Sequence, residues 1–106
     1  MRVEVLYFEG CPHQEALLSR VRAMLSRIGA EADVELRRVE SPEDAERERF
    51  LGSPTVRVDG EDVDTAAAER IDYGVKCRLY TTPAGLSGAP PDEWIFAALA
   101  RAGRPR

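Results

Sequence analysis

The chain has 106 residues, 43% of them hydrophobic and 32% charged, with a formal net charge of −4. That length suits a single domain over residues 1–106, one that buries roughly 65% of its unfolded surface without disulfide or metal staples. The acidic balance argues against a nucleic-acid partner, and no run of about 18 apolar residues argues for a membrane-spanning helix.

The first segment, "RVEVLYF", has no secretory hydrophobic stretch before it. It predicts a cytoplasmic protein, in which thiols are kept reduced. Val3 and Val5 alternate with Arg2 and Glu4, and Leu6, Tyr7 and Phe8 then run apolar, as in a central strand over Arg2 to Phe8. Gly10 breaks the run, and Pro12 fits the first turn of a helix. Leu17, Val21, Leu25 and Ile28 recur at helical spacing, widened by Leu18 and Met24, until Gly29. Asp33 to Val39 reads as a second strand, with Val34 and Leu36 on one face. A helix between two such strands makes a parallel βαβ unit.

"SPEDAERERF" then predicts a second helix, with Ser41 as N-cap, Pro42 at the first position and Asp44 at the capping-box position. Its apolar content is thin, at Ala45, Phe50 and Leu51. Thr55 to Val58 is a β-branched strand. Asp59-Gly60 is a two-residue hairpin signal, with Glu61 to Asp64 as the returning strand. "TAAAER" predicts a short helical turn, "KCRLYTT" an extended segment and "PAGLSGAPP" a loop. Pro91 to Ala102 is a last helix, packing through Trp94, Ile95, Ala98 and Leu99 and ended by Gly103. The fold class is α/β: a four-stranded mixed sheet in the order β-α-β-α-β-β-α, with residues 65–90 inserted before the last helix.

Cys11-Pro12-His13 stands between the first strand and first helix, and Ser53-Pro54-Thr55 stands just before the third strand. In these two places, and in the order of elements, the chain resembles the thioredoxin-like superfamily. "SPTVRVDGEDV" is similar to a glutaredoxin hairpin. The resemblance implies a reactive Cys11 facing a cis-proline at Pro54, whose preceding residue offers its peptide groups to an extended substrate. A cysteine at a helix start sits near unpaired N–H groups and about half a positive charge, which brings its pKa below about 8.5. "CPH" also opens the CPHC motif of strongly oxidising thiol enzymes, which implies that His13 stabilises the thiolate. Gln14 stands where the second cysteine of a CxxC motif would be, so the usual dithiol cycle is not implied.

The other cysteine is Cys77. If Asp59-Gly60 is the hairpin turn, the insertion begins at the Cys11 end of the sheet and Cys77 can face Cys11. If residues 77–82 instead pair with the third strand, Cys77 starts at the opposite end. A disulfide needs Cα atoms within about 7 Å. The candidate catalytic residues are thus Cys11, Cys77 and His13, and the candidate substrate-binding residues are Pro12, Ser53, Pro54 and Thr55. The expected function is thiol–disulfide exchange with protein or small-molecule thiols and disulfides, with no cofactor and no assigned metal site. Two other readings stand beside it. Short proteins of this appearance resemble a group labelled alkylmercury-lyase-like, which implies two thiolates and an acid such as Asp62, Asp64 or Asp72. The third reading is a non-enzymatic thioredoxin-like binding module.

Overall fold

β1 (Arg2–Tyr7) is the spine of the computed structural model, which describes residues 1–10 and 14–103. It pairs in parallel with β2 (Asp33–Arg38) and antiparallel with β3 (Thr55–Val58); β3 pairs antiparallel with β4 (Glu61–Asp62). The result is a four-stranded mixed sheet in the order β2-β1-β3-β4. Helices α1 (Gln14–Ile28), α2 (Pro42–Glu48) and α3 (Asp92–Ala102) complete the α/β fold.

The alternation of β1 divides the interior in two, because successive side chains of a strand leave opposite faces. Val3 and Val5 join the larger core, with Leu17, Val21, Met24 and Leu25 of α1, Val56 and Val58 of β3, and Ile95, Ala98 and Leu99 of α3. Leu6 joins the smaller core, with Val39, Ala45 and Phe50 at α2. A strand buried on both faces reads as apolar at consecutive positions, which is what "VLY" displays. Glu4 shares the α2 face with Leu6 and is buried too, held by Arg37 at 2.6 Å.

Local signals act where they stand in the chain. The Ser41 Oγ accepts from the Asp44 N–H at 3.1 Å, and the Asp44 carboxylate accepts from the Glu40 N–H, so both flanks of the α2 start are satisfied. Asp59 and Gly60 both take positive φ, 49° and 85°, as a two-residue hairpin turn needs. The Asp59 carboxylate then accepts from the Arg2 N–H at 2.8 Å and ties the turn to the start of β1. Thr65–Glu69 forms a single 3₁₀ turn.

Two expectations need correction. "PAGLSGAPP" is not simply a loop: Tyr80–Thr82 (β5) and Gly85–Ser87 (β6) form a separate two-stranded hairpin. Gly85, at φ 113°, and the Thr82 hydroxyl, bonded to the Gly85 carbonyl at 2.6 Å, close the turn between them. Ile28, the last residue of α1, does not continue its buried stripe; it is 47% exposed. Val34 and Leu36 lie on one face of β2, as expected, with Leu36 40% exposed on this edge strand. No helix among the described residues is long and apolar enough to cross a membrane.

Candidate functional site

The sheet register brings the start of β3 to the finish of β1: Thr55 lies opposite Leu6, four residues before the chain turns at Gly10. Cys11, Pro12 and His13 follow Gly10 and lie outside the described residues. α1 is described from Gln14, whose Oε1 is buried and accepts no hydrogen bond from the described residues. Gly52, Ser53, Pro54 and Thr55 form a buried turn at this end of the sheet, and the Ser53–Pro54 peptide bond is cis. The Thr55 hydroxyl donates to the Gly52 carbonyl at 2.6 Å and closes the turn internally.

Cys77 arrives at the same turn from the inserted segment. It forms an isolated parallel bridge with Ser53. The Ser53 N–H donates to the Lys76 carbonyl at 2.8 Å, and the Arg78 N–H donates to the Ser53 carbonyl at 2.9 Å. The residues on both sides of Cys77 are therefore pinned, while Cys77 itself is exposed. The partner strand of β3 is β4, as the Asp59-Gly60 turn implies, and Tyr80–Thr82 pairs with β6 instead. Cys77 thus lies at the end of the sheet where β1 finishes.

Gly52 is required here for two separate reasons. Its φ is 129°, which L side chains rarely adopt. A Cβ at this position would also lie 2.9 Å from the Arg78 Cβ and 3.1 Å from the Lys76 carbonyl oxygen. The turn and the inserted segment meet closely only because the side chain is missing.

Beneath Cys77 lies a charge cluster that nothing in the sequence announces. The Arg78 side chain is 1% exposed. Its guanidinium donates to Asp62 at 2.7 and 3.3 Å, to the Thr55 hydroxyl at 3.1 Å and to Asp64 at 3.5 Å. It also stacks 4.3 Å over the ring of Tyr80, a cation–π contact in a desolvated place. Tyr80 is fully buried, and its hydroxyl donates to the Pro54 carbonyl. Burial raises the Tyr80 pKa strongly; Arg78 opposes the shift, and Asp62 and Asp64 add to it.

The three carboxylates suggested as proton donors are engaged elsewhere. Asp62 and Asp64 are taken up by Arg78. Asp72 lies in an exposed cluster with Arg70 and Lys76, whose hydrogen bonds hold its carboxyl well below the usual carboxylate range. A cleft of about 520 Å³, lined by Arg57, Asp62, Asp64, Arg70 and Tyr73 among others, opens beside β4 and does not reach Ser53, Pro54 or Cys77. Arg78 and Tyr80 are the site residues that sequence reasoning missed. Their one trace is positional: they alternate with exposed Cys77 and Leu79, as buried residues of a strand do. An arginine at an inward position reads as solvent-facing by hydropathy alone.

No protein-family model matches the chain, and neither a curated protein nor a solved structure does.

Proposed function

We propose that the protein is a thioredoxin-like thiol-redox protein that exchanges disulfides through Cys11, with Cys77 as the resolving thiol. The observation that carries this reading is the pairing of Cys77 with Ser53, which brings the second cysteine to the end of the sheet where β1 runs out toward residue 11. One strand register and one backbone bridge bring Cys77, 66 positions after Cys11 in sequence, to the end of the sheet at which β1 finishes. The cis Ser53–Pro54 bond and the strand order β2-β1-β3-β4 support the family resemblance.

The exchange takes two steps. The Cys11 thiolate attacks one sulfur of a disulfide, forms a mixed disulfide and expels the other sulfur as a thiolate that takes up a proton. The Cys77 thiolate then attacks the Cys11 sulfur, forms the Cys11–Cys77 disulfide and expels the second thiolate. The substrate disulfide is reduced to two thiols and the protein dithiol is oxidised; two equivalents of a low-molecular-weight thiol return it to the dithiol form. The resolving attack depends on the Cys77 thiolate, and its rate rises with pH toward the thiol pKa. His13 serves as a stabiliser of the Cys11 thiolate.

Two single substitutions test this. Cys11→Ser should abolish reduction of a low-molecular-weight disulfide. Cys77→Ser should leave the first step intact and accumulate the mixed disulfide on Cys11, visible as an added mass that a reductant removes. Undiminished turnover by Cys11→Ser would end the proposal.

A further inference from the structure

An uncovered strand edge is a template for another chain, because its N–H and C=O groups lack partners. β4 is two residues long and covers β3 only along Val56, Arg57 and Val58. Upstream, from Phe50 to Thr55, the edge would be open at the very end of the sheet where the thiols are proposed to act. Residues 74–80 close it. The Gly74 N–H donates to the Phe50 carbonyl at 3.0 Å. Both peptide groups of Ser53 are used, by Lys76 and Arg78. The Arg78 guanidinium takes the Thr55 hydroxyl, and the Tyr80 hydroxyl takes the Pro54 carbonyl. The segment is anchored from beneath by Arg78 and Tyr80, both buried, and Gly52 lets it lie closer than any side chain would permit.

This arrangement has the form of strand addition, with the added strand supplied by the chain itself. Cys77, flanked by the two bonds to Ser53, occupies the position at which an added chain would present its own reacting residue. We propose that residues 74–80 are a resident strand that fills the docking edge at Ser53 and Pro54, so that the thiol chemistry is open to low-molecular-weight disulfides and closed to extended polypeptides. This inference rests on the thiol-redox reading for its chemistry, and on backbone pairing for its geometry.

The test measures both on the intact protein. Hydrogen exchange should find the Ser53 and Arg78 amides protected, because their bonds open only when the segment lifts. Reduction of bis(2-hydroxyethyl) disulfide should exceed reduction of insulin by at least about tenfold, since a polypeptide must first displace two backbone hydrogen bonds. Gly52→Ala drives a methyl group into the segment; in the folded variant both amides should exchange faster and insulin reduction should rise about tenfold over the wild type. Unprotected amides in the wild type, or equal rates on the two substrates, would overturn the inference while leaving the thiol reading intact. A folded Gly52→Ala with freely exchanging amides and an unchanged insulin rate would overturn it as well. If Cys11 is inert toward both substrates, the thiol reading fails by itself; protected amides would still support the filled edge.

Discussion

The two sides of the sheet are defended in opposite ways. On the β2 side the edge is open, and its protection is charge. Arg2 pairs with Glu35, Arg37 with Glu4 and Glu48, and Arg38 with Glu9, and most of these side chains are between a third and three-quarters exposed. Such a row repels the edge of another sheet while costing little in desolvation. On the β3 side the edge is filled by residues 74–80, and the arginine involved is inside the protein. The ingredients match, arginine against carboxylate, but the surroundings differ. Water screens the exposed pairs of the first set, so neither Arg2–Glu35 nor Arg38–Glu9 matters much singly; Glu4, buried against Arg37, is the exception. The buried set has no such relief, and removing one member strands the others.

Substitutions from one side to the other should reproduce that contrast. Arg78→Ala leaves Asp62 and Asp64 without their cation and opens a cavity, and should cost about 3 to 5 kcal/mol in urea unfolding. A loss below about 1 kcal/mol would mean that the two edges do not differ in kind. Gly52→Ala forces an L residue into positive φ and against Arg78, and should cost about 2 to 3 kcal/mol by the same measurement.

Tyr80→Phe removes only the hydroxyl and its bond to the Pro54 carbonyl, and should cost about 1 kcal/mol. Its signature is in the pH dependence. The folded state holds the Tyr80 pKa above the ordinary tyrosine value, chiefly by burial. The unfolded chain therefore loses that proton first. Stability from this group is complete below about pH 10 and falls as pH rises from there toward the folded pKa. Tyr80→Phe should flatten that alkaline fall. Spectrophotometric titration of the folded wild type should show a tyrosine that stays un-ionised past the ordinary tyrosine range and that is missing from Tyr80→Phe. The smallest effect belongs to the open edge: Arg38→Ala should change stability by less than about 0.5 kcal/mol, because Arg38 and Glu9 are 46% and 75% exposed. A larger loss there would show that the charged edge contributes to stability as well as to protection.

Much of the architecture is legible in the sequence. The alternation of Val3 and Val5, the period of Leu17, Val21 and Leu25, the Ser41-Pro42 cap and the Asp59-Gly60 turn are local statements, each satisfied within a few residues of where it stands. Ile28 departs from its place in the apolar stripe because an apolar residue at the right period is buried only if another element covers it. "GLS" was hidden as a strand by the prolines and glycines around it, since its pairing with Tyr80–Thr82 is its main support.

The sequence by itself determined the order of elements, the turns and caps between them, and the two cysteines as the residues whose chemistry needs explaining. Those features rest on backbone sterics and on periodic burial, which act over one turn or one strand. Only the tertiary structure decided that Cys77 lies beside Ser53, that residues 74–80 fill the edge of β3, and that Arg78 is interior. The reason is physical: Arg78 meets Thr55 across 23 residues of chain, and the backbone bonds on either side of Cys77 join the same two segments. Neither segment carries a periodic trace of the other.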